Sequence, residues 1–161
     1  MKKSHVISTY DVYGKEYSVE ADSLKTAAHV YGLARRGNQI LILPAWDGYD
    51  FPGGTATVGE THLETLTREF KEETGYDIKP IRPLGIYTSF FHHHVHNQDF
   101  QNYLIYYEVE IIGGELSDAG FDADEKQYAK LAKWVPIESL KAQKYASTPD
   151  VAAELIAKLG S

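Results

Sequence analysis

The segment from Gly54 to Tyr76 constrains the fold more tightly than any other part of this chain. Thr61 is followed three residues later by Glu64, the spacing of a capping box, which predicts that a helix starts there. Gly75 suits the left-handed position that closes a helix. Between these ends Leu63, Leu66 and Phe70 share one face at helical spacing and are expected to point into a core. At about 100° per residue, Glu69, Glu72 and Glu73 form a second stripe beside that face. Three carboxylates so close repel one another and raise one another's pKa. A structural helix would interleave them with Lys or Arg. A bound divalent cation relieves the repulsion instead.

The lead-in to this helix is also unusual. Phe51-Pro52-Gly53-Gly54 is a rigid turn ending in two glycines, which lets a backbone carbonyl approach a ligand closely. Hard cations such as Mg²⁺ take oxygen ligands, often carboxylates with a backbone carbonyl and water. Loop and helix together therefore offer one oxygen-rich pocket. The plain alternative is a solvated acidic helix face, and the Phe-Pro-Gly-Gly turn argues against it.

Gly54, Glu60, Arg68, Glu69, Phe70, Glu72, Glu73, Gly75 and Tyr76 occupy fixed spacings of the form G-x5-E-x7-R-E-U-x-E-E-x-G-U, with U a bulky apolar residue. This pattern resembles the signature of the Nudix hydrolases, which cleave a nucleoside diphosphate linked to another group. Trp134-Val135-Pro136, followed by Glu138 and Leu140, resembles a second, weaker family segment. One position departs: many members carry Glu where this chain has Thr57. The resemblance implies an α/β fold, a Nudix-type α-β-α sandwich around a mixed β-sheet. It implies Mg²⁺ as cofactor, with Mn²⁺ as a substitute. Glu69 and Glu73 are then the first metal ligands, with Glu72 and the Gly54 carbonyl next. Arg68 holds a motif carboxylate in place, and Glu60 braces the loop or reaches a metal through water. The general base is either a motif glutamate, Glu69 or Glu72, or a residue outside the motif. Glu125 is the best outside candidate, with Asp122 and Asp124 near it; mere solvation is the competing reading of that acidic segment.

The rest of the chain bounds this reading. Its 161 residues are read as one domain, with a hairpin extension at 5–19 and the motif loop and helix at 54–76. There are no cysteines, which excludes disulfides, thiolate catalysis and Cys-zinc sites. It also removes the isoprenoid diphosphate isomerase alternative, whose chemistry needs a cysteine. No signal-peptide run or membrane-length apolar stretch is present, so a cytoplasmic enzyme without membrane contact is expected. A net charge of −7 makes a nucleic-acid partner, including an RNA cap, a poor expectation. A small polyanionic nucleotide is not excluded, since a metal can neutralise its phosphates. Nucleoside triphosphates, including oxidised ones, and sugar nucleotides such as ADP-ribose stay open. A nucleotide-sensing module without activity is the alternative function, against which stands the full set of motif carboxylates. The N-terminal hairpin, of a kind that builds dimers in sugar-nucleotide hydrolases, raises the expectation of a homodimer.

Pattern places strands at Ala27 to Ala34, Gln39 to Leu43, Ile81 to Phe91, Phe100 to Ile112 and Ala129 to Val135. Gly113 to Gln127 reads as an acidic loop, and Pro136 to Leu140 as a short turn or helix. Thr148-Pro149-Asp150 is a helix start, with Val151, Leu155 and Leu159 as its apolar stripe. Phe90-Phe91-His92-His93-His94-Val95-His96 is the second conspicuous run. In an extended strand His92, His94 and His96 share one face, fit to donate to phosphates or bind a metal. The competing reading is a hairpin end turning at Asn97-Gln98-Asp99. Phe51, Phe90, His92 and His94 are the candidate substrate contacts, and Phe90, Phe91, Trp46 and Tyr49 could stack on a base.

Overall fold

The computed structural model describes residues 5–46, 48–142 and 151–160. Among the described residues nine strands form one mixed sheet: β1 (Val6–Tyr10), β2 (Glu16–Glu20), β3 (Lys25–Arg36), β4 (Gln39–Ala45), β5 (Gly48–Asp50), β6 (Gly53–Thr55), β7 (Tyr76–His93), β8 (Gln98–Gly114) and β9 (Lys133–Pro136). The α-helices among the described residues are α1 (His62–Thr74), α2 (Glu125–Tyr128) and α3 (Ala152–Lys158), with 3-10 turns at Ala21–Ser23 and Ile137–Ala142. The sheet order is β2-β1-β7-β8-β3-β4-β5, with β6 paired to β3 and β9 to β4. β3 runs parallel to β8, and β7 antiparallel to it.

Alternation along β3 and β4 divides the core into two layers. Val30, Ala34, Leu41 and Leu43 pack with Leu66 and Phe70 of α1. Tyr31, Leu33, Ile40 and Ile42 pack on the opposite face with Leu155 and Leu159, in and just after α3. A helix on each face of a mixed sheet is the expected α-β-α sandwich. Gly32 makes the α1 layer thin enough to close, because a Cβ there would lie 2.9 Å from the Phe70 ring. No helix among the described residues is long and apolar enough to cross a membrane.

Several expected boundaries shift for physical reasons. β7 begins at Tyr76 and not near Ile81, because register shifts between Pro80 and Arg82 and between Pro83 and Gly85 accommodate the prolines within the strand. The last strand is shorter than Ala129 to Val135. Ala129 closes α2 by donating to the Glu125 carbonyl and makes only an isolated bridge to Ala45. The acidic loop is interrupted by α2, and Thr148-Pro149-Asp150 lies outside the described residues. The N-terminal hairpin forms as read, with the Asp11 carboxylate accepting the Tyr13 and Lys15 amides across its turn.

Candidate active site

α1 is capped at both ends as its sequence dictates. The Thr61 hydroxyl accepts from the Glu64 amide while the Glu64 carboxylate accepts from the Thr61 amide, and Gly75 adopts φ 77°. Leu66 and Phe70 are fully buried, but Leu63 is 38 % exposed, because the first turn lies at the rim and core contact begins with Thr65 and Leu66. Glu73 takes the place expected of an apolar residue. It follows Leu66 by seven positions and Phe70 by three, which sets it in the middle of the inward face, and it is only 7 % exposed. Glu69 stands at the edge of that face, and Glu72 turns outward.

The Gly53 amide donates to Glu73 Oε2 at 2.7 Å. Burial holds Glu73 well above the ordinary carboxylate range, with the charges of Glu69, Glu125 and Asp50 adding to the effect. Among the described residues no cation pairs with it. Glu69 is raised first by burial, against its bond to Arg68. Arg68 clasps Glu60 through Nε and Nη2 at 2.8 and 2.9 Å. Its Nη1 donates to Glu69 Oε1 at 2.7 Å and Glu72 Oε2 at 3.2 Å, and Nη2 to the Thr57 hydroxyl at 3.2 Å. One guanidinium therefore holds three motif carboxylates and the Thr57 hydroxyl of the loop. Gly54 pairs with Val30 of β3 and backs directly onto the Glu69 carboxyl group.

The segment after β8 is fastened to the end of α1. The Ser117 amide donates to the Thr74 carbonyl, one of the orphan acceptors of the helix terminus. Gly120 lies against the Glu72 backbone and Phe121 is buried in the α1 layer. Asp122 then caps α2: its carboxylate accepts the Asp124 and Glu125 amides, and Glu125 Oε2 accepts the Asp122 amide in return. This brings Glu125 opposite the motif helix, where burial, Asp122 and Glu72 hold it above its ordinary pKa against the bond from the Asp122 amide.

Glu69, Glu73, Asp122, Asp124 and Glu125 line one cavity of about 600 Å³, together with Gly53 and Gly54. A larger open groove of about 890 Å³, around Arg35, Arg36 and Trp134, holds none of the motif carboxylates. Buried carboxylates that repel one another, beside a loop with no room for a side chain, suit a hard divalent cation. They are not a ready-made ligand set: among the described residues no three His, Asp or Glu side chains are gathered at ligating positions. Arg68 and the α2 cap hold Glu69 and Glu125 in their own bonds.

The aromatic and histidine expectations divide. Phe51 lines the cavity, but Phe90, His92 and His94 do not; Phe91, His93 and His96 do. β7 ends at His93 and the chain turns through 94–97, so the strand alternation that would align His92, His94 and His96 stops before it can apply. His92 faces the hairpin instead, stacked 3.7 Å from the Tyr17 ring and 3.0 Å from Asp99 Oδ1, which also accepts from the Thr9 hydroxyl. His94 stands behind Trp46, ring to ring at 5.2 Å. Burial, then His96 and His94, keep His93 below its ordinary pKa. Sequence reasoning missed Asn102, Ser89 and His29, which also line the cavity. Their only signal is strand alternation, which needs the register to be read.

The chain is similar to known proteins in sequence and in fold. The family model described as NUDIX domain matches residues 24–159. The chain is 32 % identical over 142 residues to the ADP-ribose pyrophosphatase of Methanocaldococcus jannaschii, covering 78 % of this chain and 80 % of that protein. It is 42 % identical over 60 residues to the putative 8-oxo-dGTP diphosphatase YtkD of Bacillus subtilis, covering 37 % of this chain and 38 % of that one. In fold it is similar to a NUDIX hydrolase from Nitrosomonas europaea, with a TM-score of 0.61 at 18 % identity, covering 83 % of this chain and 87 % of that one.

Proposed function

The chain belongs to the Nudix hydrolase family, and on that footing we propose that it uses a divalent metal ion to hydrolyse a diphosphate bond in a nucleoside diphosphate-linked substrate. ADP-ribose is the first compound to test, given the name of the M. jannaschii relative. The observation that carries the reading is the convergence of Glu69, Glu73 and Glu125 on one cavity, with Glu73 buried and without a cation partner among the described residues.

Glu69 and Glu73 are the proposed metal ligands, with Glu72 and the Gly54 carbonyl as further oxygen donors. Bound there, Mg²⁺ or Mn²⁺ neutralises phosphate charge and lowers the pKa of water. Arg68 positions Glu69 and Glu72 by holding both, and it ties them to Glu60 and Thr57. Glu125 is the proposed general base, because its raised pKa makes it a better proton acceptor than an ordinary carboxylate near neutral pH. Phe51 and Phe91 offer apolar walls to the substrate, and His93 and His96 polar contacts at the mouth.

The test is a panel of ADP-ribose, sugar nucleotides, dinucleoside polyphosphates and nucleoside triphosphates, with release of phosphate or nucleoside monophosphate measured with Mg²⁺ and with chelator. Turnover that chelator removes and Mg²⁺ restores is expected. Turnover unaffected by chelator, or none on any diphosphate-linked compound, overturns the proposal.

A further inference from the structure

We infer that the Tyr128 hydroxyl donates a hydrogen bond to a non-bridging oxygen of the substrate's diphosphate; the inference rests on the diphosphate reading above. The cavity is a poor host for such a group on charge alone. Among the described residues its wall carries six carboxylates, from Asp50, Glu69, Glu73, Asp122, Asp124 and Glu125, and neither lysine nor arginine. Ionised carboxylates accept hydrogen bonds and cannot donate them. A metal ion neutralises part of a diphosphate, and the phosphate oxygens it does not bind still need donors. Tyr128 closes α2 three positions after Glu125 and lines the same wall. Among the described residues its hydroxyl makes no hydrogen bond, and it is not sealed from the cavity. A phenol keeps its proton near neutral pH. Burial, then the charges of Glu125, Glu73, Asp122 and Glu69, push this one further up, so it stays a donor among acceptors.

Those four carboxylates are the natural acceptors for the phenol, yet none takes it, because the ring is held elsewhere. It lies flat on Trp46, with centroids 4.7 Å apart and planes 3° apart, and His94 stands against Trp46 at 5.2 Å. The Trp46 amide donates to the Tyr128 carbonyl at 2.9 Å, and the Lys130 amide to the Pro44 carbonyl at 2.9 Å. Trp46 takes φ 52°, a left-handed conformation that a bulky side chain adopts only where its surroundings impose it. Two backbone bonds and one stacked face therefore fix the phenol before any substrate arrives. A donor fixed in advance loses little freedom on binding, which is what makes it effective toward an anionic oxygen. Glu69 and Glu73 are the proposed metal ligands, so a metal-bound diphosphate lies beside the very groups whose charges act on Tyr128.

The experiment is Tyr128→Phe, which removes the hydroxyl and keeps the ring on Trp46. The hydroxyl has no partner to lose among the described residues, so the thermal melt should be unchanged. Two quantities are read with Mg²⁺: kcat and KM on the best substrate of the panel, and the affinity of α,β-methylene-ADP, a diphosphate that resists cleavage, by calorimetry. Both kcat/KM and the affinity should fall by about 10- to 100-fold, the value of one hydrogen bond to a charged acceptor. A ring that serves only as packing predicts wild-type values in both, and that result overturns the inference. A fall in kcat alone, with KM and affinity intact, places the hydroxyl on the attacking water and overturns the phosphate contact too. Weaker binding by Tyr128→Phe, where wild type binds the analogue but hydrolyses nothing, upholds the contact and drops the hydrolase reading alone. Mg²⁺-dependent turnover that Tyr128→Phe leaves unchanged does the reverse. Wild type that neither binds the analogue nor turns over any compound overturns both.

Discussion

Gly54→Ala separates the placement of Glu69 from the stability of the fold. A methyl group at Gly54 would lie 2.5 Å from the Glu69 carboxyl carbon and 2.6 Å from Oε2. Ordinary contact begins at 3.4 Å, so the carboxylate must retreat by about 0.9 Å. Gly54 is not among the glycines with positive φ, so alanine meets no backbone strain there. The obstruction is the end of a flexible side chain, and overpacking of this kind typically costs about 1–3 kcal/mol. In a domain of this size that lowers Tm by about 3–10 °C. Activity should suffer far more, since misplacing a catalytic group by about 1 Å costs about 10²-fold. The assay is kcat/KM on the best substrate of the panel, run beside a thermal melt at the same Mg²⁺ concentration. A folded Gly54→Ala enzyme with wild-type kcat/KM would refute the claim that the glycine loop sets the position of Glu69.

Three further outcomes follow from the geometry. Glu73→Gln should abolish turnover yet raise Tm in metal-free buffer. The folded pKa of Glu73 lies above its unfolded value, so ionisation costs wild type increasing stability as pH rises through and beyond the carboxylate range; the two melting curves should meet at low pH and separate above it, and equal Tm at neutral pH counts against the burial argument. Glu125→Gln should lower kcat by about 10²–10⁴-fold with little change in KM, and an unchanged kcat moves the base to Glu69 or Glu72. His92→Ala should cost about 1–3 kcal/mol of stability, read by denaturant melts, since it empties the stack on Tyr17 and leaves Asp99 one partner short; a loss within a few tenths would mean the hairpin holds without it.

The motif helix was legible because its information is local. Thr61, Glu64 and Gly75 act within a few residues of themselves, and each makes the bond or takes the angle its type favours. Which side chains the cavity sees is not local. Phe91 and not Phe90, and His93 and not His92, face it, because a shift of one residue turns a strand's whole set to the other side. Where β7 ends depends on its pairing with β8, from His92–Asp99 to His93–Gln98. Glu73 was recognised as a carboxylate with a role, but its burial was not: a charged residue on the core face of a helix contradicts the pattern from which core faces are read. Asn102 carried no signal at all until β8 had neighbours.

β3 is paired along both edges, with β8 on one and β6 followed by β4 on the other. The glycine loop is thereby sewn to a strand whose amides should exchange with solvent only when the sheet itself comes apart. The facing segment, from Glu115 to Asp124, is pinned by the Ser117 amide and the Phe121 ring, and most of its residues are exposed. Its amides should exchange by small local openings, orders of magnitude sooner. On the proposed function, a substrate would meet a stationary wall on the motif side and a more yielding one beside Glu125, and the ordering that accompanies binding should fall on the acidic segment.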